Sequence, residues 1–358
     1  MQRNYLCSTK QQVEELGVHW DKLQTYLDAP VAKFDWILSC VENLLEKSSL
    51  YIPVASDGTQ PVAIAPLVKP NGFFGAVQQI GVSRHGEPAD FLYKDAASLD
   101  LLTHVLSSGR IPLLLMRIPE ESPVIQALEK AYKGKAFINL RPQVGCPFIE
   151  VQANEEQVLN SLPSRLRSDL RRAQRKAETL GEITFEMHAP ASLAELTPVW
   201  NESLRVEAAG WKGRSHTALA EDQNMASFFL SYADRACQQG ILRIYFMRIG
   251  GQVVAMQIAI EASDRLWLLK IGYDEDYAKC SPGMLLMLET LQYAARKGLA
   301  SYEFLGAAKD WTRRWTKTER NNVTIRIYPY TIKGLSIFIH DTSTYFWKRM
   351  VGKFRKVA

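Results

Sequence analysis

The stretch ILRIYFMRIGGQVVAMQIAIEASDRLWLLKIGYDEDYAKCSPGMLL, residues 241–286, decides the fold. It opens with two apolar runs, ILRIYFMRI and QVVAMQIAIEA, joined by Gly250-Gly251. Two glycines between such runs signal a tight hairpin, because a two-residue loop of matching twist needs positive φ at both positions. RLWLLKIGY reads as a third strand. Ser281-Pro282-Gly283 then precedes an apolar series, Met284, Leu285, Met287, Leu288 and Leu291. Serine is a good N-cap and proline suits the first helical position, so a helix is expected over 282–297. A helix start offers unpaired N–H groups and the positive end of the dipole, and Gly283 lets an anion approach the backbone. Plain helix initiation explains the same residues, so both readings stand at this point.

Upstream, CPFIEVQ reads as a strand, followed by a helix over 155–180, the strand EITFEMH and helices at 192–209 and 222–239. Downstream come the strands SYEFLG and NVTIRIYP, the latter expected to close this half. Residues 31–46 have helical periodicity, Asp57-Gly58 marks a hairpin, and helices are expected at 96–107 and 122–132 with the strand IPLLLMRI between them. A strand near 136–140 ends this first half, and Arg141–Pro147, with two prolines and a glycine, reads as the crossing point. The pattern predicts an α/β fold (α+β mixed sheet) in two similar halves, 1–145 and 146–335, with a basic amphipathic tail at 336–358.

The chain has 358 residues, 47% hydrophobic and 23% charged, and a net charge of only +5, which is that of a globular protein rather than a dedicated nucleic-acid binder. The five cysteines form no CxxC pair and the six histidines are scattered, so neither a metal site nor a disulfide framework is expected. The N-terminus has no apolar signal core, and no window of about 18 apolar residues spans a bilayer. A cytoplasmic location is expected. Basic charge concentrates in two places. Helix 163–178 carries Arg165, Arg167, Arg171, Arg172, Arg175 and Lys176, which suit either a solvated face or a polyanion such as a nucleotide-linked sugar, a lipid phosphate or tRNA. In the tail, Phe346, Trp347, Met350, Val351 and Phe354 share a helical face, the pattern of a docked helix or of peripheral membrane contact.

Four blocks carry a family resemblance: 162–181, the Trp211-Lys212-Gly213 turn, 241–286 and YEFLGAAKDWTRRWT at 302–316. Over about residues 150–330 the chain resembles the BioF2-like, CelD-type acetyltransferase domain of the GNAT superfamily, related to the FemAB peptidyltransferases. FDWILS, the hairpin ending VAIAPL and IPEESPVIQAL resemble the degenerate N-terminal partner found in such proteins. The resemblance implies two tandem GNAT-like domains and a splayed sheet that admits an acyl donor. It implies acetyl-CoA or another acyl-CoA as co-substrate, with pyrophosphate at Ser281, Pro282, Gly283 and Met284 and the acyl group along Lys270, Ile271 and Gly272. The family carries tyrosine-lysine where this chain has Trp311-Thr312, and Lys309 and Arg313 are the nearby cations.

Acyl transfer needs a base for the nucleophile, a donor for the thioester oxygen and an acid for the leaving thiolate. Asp274 and Glu207 are the candidate bases and Tyr273 the candidate acid, with Asp276 and Tyr277 as neighbours. Trp211, Lys212, Lys309, Trp311, Arg313 and Trp315 are the candidate acceptor contacts. Cys280, beside the helix start, reads as a small packed cysteine more readily than as a nucleophile. The expected activity is acetyl transfer to an amine or hydroxyl of a small-molecule or saccharide acceptor, such as a polysaccharide precursor. The alternatives are a FemAB-like transferase using aminoacyl-tRNA and a non-catalytic ligand- or membrane-docking module.

Overall fold

A computed structural model of the protein describes residues 4–72, 74–151, 154–210 and 222–354. In chain order the elements begin with β1 (Tyr5–Cys7), α1 (Lys10–Trp20), α2 (Phe34–Asn43), β2 (Ser48–Leu50), β3 (Ile52–Ser56), β4 (Pro61–Ile64), β5 (Leu67–Pro70) and β6 (Val77–Gln79). There follow α3 (Val82–His85), β7 (Leu92–Tyr93), α4 (Ala96–Ser108), β8 (Leu113–Pro119), α5 (Pro123–Tyr132) and β9 (Ala136–Glu150). Next come α6 (Glu155–Ser161), α7 (Ser164–Glu178), β10 (Ile183–His188), α8 (Leu193–Ala208), α9 (Gln223–Gln238), β11 (Leu242–Ile249) and β12 (Gln252–Ala262). The chain finishes with β13 (Arg265–Tyr273), α10 (Pro282–Arg296), β14 (Ser301–Glu303), β15 (Glu319–Pro329) and α11 (Ile332–Phe354). The fold is mixed α/β, and it divides into two compact units, Met1–Gln143 with Asn321–Ala358, and Val144–Arg320.

In the first unit β1, β3, β4 and β7 form one antiparallel set, while β2, β5, β6, β8 and β15 pair in that order. β6 and β8 run parallel, Val77 opposite Leu113, with α4 lying between them in the chain. The core gathers Leu102 and Leu106 of α4, Leu113 and Leu115 of β8, Leu128 of α5 and Val323, Ile325 and Ile327 of β15. The run from Asn321 therefore belongs to the first unit. NVTIRIYP, expected with everything to residue 335 in the second half, lies instead in the first unit, where β15 pairs with β8 and buries Val323, Ile325 and Ile327.

The second unit has the strand order β10, β11, β12, β13, β14, β9. Gly250 and Gly251 make the β11–β12 turn with φ of 57° and 84°, the positive pair such a loop requires. β12 and β13 are antiparallel, and β13 and β14 are parallel, with α10 as the crossover. On one face, Leu166, Leu170, Ala173 and Ala177 of α7 and Leu285, Leu286 and Leu291 of α10 pack with Tyr245, Met247, Leu266, Leu268 and Tyr302. Their 3–4-residue spacing on α7 puts the arginines on the other side of the helix, as the sequence pattern requires.

Two local expectations change. Helix 155–180 is two helices, because Pro163 has no N–H to continue the first and instead precedes the second. The expected crossing point Arg141–Pro147 is continuous strand inside β9. Gly145 is needed there for a close approach: a Cβ on it would fall 2.8 Å from Glu319 Cβ. The carbonyls of Gly145 and Pro147 accept from Ala308 N–H and Phe304 N–H, which ties this part of β9 to the chain that follows β14.

Candidate active site

The site is built where β13 loses its parallel neighbour. β13 and β14 pair only at Arg265–Ser301, Leu266–Tyr302 and Trp267–Glu303. Beyond Glu303 the chain leaves, with Phe304 N–H donating to Pro147 O and Leu305 and Gly306 at positive φ. β12 stays paired with β13 as far as Tyr273. Asp274 N–H donates to Val254 O on the β12 side, so by two-residue alternation the backbone groups of Ile271 and Tyr273 face the opposite edge, where β14 has ended.

A bulge in β13 decides which side chains flank this edge. The register passes from Ala259–Leu268 to Ile258–Lys270, which makes Leu269 an extra residue. Leu266 and Leu268 lie in the core beneath α10 and α7, and after the bulge Ile271 and Tyr273 pack against that same core. Lys270 and Gly272 therefore turn to the opposite face. There the Lys270 ammonium lies 4.1 Å from the Phe229 ring centroid, and α8 comes close enough that a Cβ on Gly272 would fall 3.0 Å from Glu207 Cα. Glu207 is only 2% exposed. The end of α8 is tied in further, since Ala209 O accepts from Glu275 N–H at 3.3 Å and a Cβ on Gly210 would meet Tyr273 O at 2.9 Å.

The start of α10 lies on the Tyr273 side. The Tyr273 ring is 3.5 Å from where a Gly283 Cβ would stand. Ser281 is left-handed, φ 49°, and its side chain caps nothing, although its carbonyl accepts from Met284 N–H at 3.0 Å. Pro282 has no N–H, and among the described residues the Gly283 N–H has no acceptor. Arg314 completes this corner: its guanidinium touches Met284 Sδ at 3.4 Å and donates to Asp169 Oδ2 of α7 at 2.8 Å. Asp169 also holds Arg172 at 2.6 Å, and Arg165, Arg171, Arg175 and Lys176 are exposed along α7. A buried polar group fixes α10 beneath the sheet, with the Thr290 and Tyr302 hydroxyls both bonded to Gln257 Oε1 at 2.9 and 3.0 Å.

The corresponding helix of the first unit is closed to anions. α4 also crosses between two parallel strands, but its N-cap Asp95 accepts from Ser98 N–H and the Ser98 hydroxyl, both at 2.8 Å. Those bonds lower the Asp95 pKa, so a fixed carboxylate occupies the first turn of α4, whereas the first turn of α10 has no side-chain cap.

The expected residues are distributed unevenly. Tyr273, Gly272, Ile271, Ser281, Pro282, Gly283 and Met284 come together with Glu207 around the end of β13. Lys270 does not join them, because the bulge turns its side chain onto Phe229 and alternation turns its backbone toward β12. Asp274 caps the 3₁₀ turn Glu275–Cys280, accepting from Asp276 N–H at 3.0 Å, a structural task for a carboxylate expected to act as base. Cys280 donates to Tyr277 O at 3.0 Å, and burial pushes its thiol pKa up, the opposite of an activated nucleophile. Trp315 is a core residue, 7% exposed, and not the surface contact expected. Arg313 lies 3.9 Å from Asp310, and Arg314 is the cation that reaches α10. Thr312, in the place of the family lysine, bonds through its hydroxyl to the Lys309 backbone and closes that loop. Lys309 is exposed, and Trp311 packs its edge on Phe304 with centroids 5.6 Å apart. Trp211, Lys212, Gly213 and His216 lie outside the described residues. The Asp169–Arg314 link was not legible in the sequence, because 145 residues separate its partners.

A parallel strand pair that splays beside a crossover helix with an uncapped start gives the second unit a GNAT-type fold. Residues 164–313 match the family described as the acetyltransferase (GNAT) domain. Two solved structures share the fold of the whole chain. L-PGS from Bacillus licheniformis has 13% identity and a TM-score of 0.55 over 91% of this chain and 94% of its own. FemX has 11% identity and a TM-score of 0.54 over 91% and 97%. The likeness to tandem GNAT and FemAB-type proteins read in the sequence therefore holds at the level of fold. No curated protein matches the sequence.

Proposed function

We infer that the second unit transfers an acyl group from acyl-CoA, most simply acetyl-CoA, to an amine or hydroxyl of a small-molecule or saccharide acceptor. One observation carries this reading: β13, past its last pairing with β14, runs on to a helix start whose first turn has an unbonded N–H, no Cβ and Arg314 alongside. Acetyl-CoA would supply an activated thioester and an anionic pyrophosphate. Gly283 N–H, the α10 dipole and Arg314 suit that pyrophosphate. The Tyr273 backbone N–H, which faces away from β12, suits the thioester carbonyl, where an oriented N–H stabilises developing negative charge.

The two faces of β13 divide the proton chemistry. Glu207, on the α8 face, is the base that removes the acceptor's proton as its nitrogen or oxygen bonds to the acyl carbon. Tyr273, on the α10 face, gives its hydroxyl proton to the departing sulfur as the carbon–sulfur bond breaks. Transfer of the Glu207 proton to Tyr273 through solvent restores both groups. The products are an amide or ester and a free thiol, and the protons balance.

Calorimetric titration of the full chain with acetyl-CoA tests the reading. Micromolar binding that disappears in Gly283→Glu, with the melting temperature held, is the expected result. No heat with any acyl-CoA sinks it. A second reading, an aminoacyl-tRNA donor, is favoured specifically by the exposed Arg165, Arg171, Arg172 and Arg175 of α7, joined to the α10 start through Asp169 and Arg314. Silence with acyl-CoA together with steeply salt-dependent tRNA binding would favour that donor instead.

A further inference from the structure

Helix α11 docks on the first unit by one side only. Gly334 and Ile337 are buried. Phe338 meets the Phe137 and Tyr328 rings edge-on at 5.6 and 5.3 Å. Asp341 is held by Arg326 and accepts from the Tyr328 hydroxyl at 2.9 Å. These four positions, at three- and four-residue steps, share one side of the helix. Ile332, Leu335, Ile339 and Trp347 lie on the other side and are 86, 59, 55 and 66% exposed. Their spacing stacks them in a single stripe. Scattered exposed apolar residues are ordinary on any surface, but four large ones along one helix face mark a contact surface. Among the described residues no helix is long and apolar enough to cross a membrane, so the stripe is not part of a span.

Charge selects the partner. Residues 332–358 contain Lys333, Lys348, Arg349, Lys353, Arg355 and Lys356 against a single acid, Asp341, which Arg326 already holds. A second copy of the chain in a two-fold contact would bring the same positive excess to the interface. An anionic lipid surface brings the opposite charge together with an apolar layer, and tryptophan suits the boundary between them. We propose that α11 docks the protein on an anionic membrane surface, with Ile332, Leu335, Ile339 and Trp347 entering the boundary between headgroups and acyl chains and the basic residues of the segment drawing the helix to it. Ile332 and Leu335 extend the stripe ahead of residue 336, where the sequence pattern starts the basic amphipathic tail. The proposal uses no residue of the second unit and stands apart from the acyl-transfer reading.

Flotation of the full-length protein with vesicles of phosphatidylglycerol and phosphatidylcholine, or of phosphatidylcholine alone, tests it. The protein should float with the anionic vesicles only and be released by about 0.5 M salt, where screening reaches within a few ångströms. Leu335→Asp with Ile339→Asp should reduce the bound fraction roughly tenfold, since charge on the apolar face opposes insertion. Both side chains are exposed, so the melting temperature should hold. Ile332→Ser with Trp347→Ser is a second, milder pair with the same expected loss if the first misfolds. Equal flotation of the substituted proteins, or no flotation of the natural one with anionic vesicles, overturns the proposal. So does a dimer in sedimentation that the substitutions dissolve, which would give the stripe to a second copy.

Discussion

Gly272 and Gly283 lie on either side of one strand end and differ in the space around them. At Gly272 the constraint is internal, because α8 leaves no room for a Cβ. At Gly283 a Cβ would meet the Tyr273 ring at an ordinary van der Waals distance of 3.5 Å, so packing within the described residues does not require glycine there. Asp90 is a residue outside this site with its own measurable signature. It is 3% exposed and accepts from Phe91 N–H at 2.9 Å and from the Ser122 hydroxyl at 3.0 and 2.9 Å on its two oxygens. Burial nevertheless raises its pKa from 3.8 to about 7. The folded state therefore favours the neutral acid, whose contribution is fully present below the unfolded value and is lost as pH rises through about 7. Urea unfolding at pH 5 and pH 8 should show Asp90→Asn gaining on the natural protein by on the order of 2 kcal/mol at the higher pH, at about 1.4 kcal/mol per pKa unit. An equal stability difference at both pH values would show that Asp90 is ionised throughout.

At the scale of elements, α4 and α10 occupy the same place in their units but start differently. The Asp95 carboxylate fills the first turn of α4, while α10 has Ser281 turned left-handed and a proline that donates nothing. Of the two helix starts, only that of α10 keeps its first turn uncapped by a side chain. Arg314 is the external part of the α10 corner, held by Asp169 across the surface. Arg314→Glu should cost less than about 1 kcal/mol of stability, as exposed ion pairs do. It should also weaken acetyl-CoA at least tenfold by placing negative charge beside Met284 and Gly283, a loss that calorimetry and a urea titration of the same sample would separate. Unchanged binding would remove Arg314 from the donor site.

At the scale of the whole molecule, the chain leaves the first unit at Gln143 and returns to it at Asn321. The returning β15 buries Val323, Ile325 and Ile327 in the first unit's core. Each buried aliphatic side chain is worth about 1.5–3 kcal/mol, so the three together rival the roughly 5–15 kcal/mol that holds a domain folded. A chain ending at Arg320 should therefore keep a protease-resistant Val144–Arg320 unit and lose resistance over residues 1–143. Resistance of 1–143 in that truncated chain would mean that β15 is dispensable.

The sequence by itself determined the elements whose signals are local. The glycine hairpin at 250–251, the Ser-Pro-Gly start of α10, the arginine face of α7 and the strand order of 241–286 are all read from neighbours in the chain. Only the tertiary structure decided what depends on distant partners. The extra residue at Leu269 turns Lys270 away and sets Glu207 and Tyr273 on opposite faces, and nothing in RLWLLKIGY marks it. Pro142 and Pro147 read as punctuation in the sequence but lie within β9, because pairing with distant segments holds the strand through them. β15 has the alternation of any half-buried strand, and alternation states that a face is buried without stating in which core. Periodicity is a property of the segment, whereas pairing is a property of two segments.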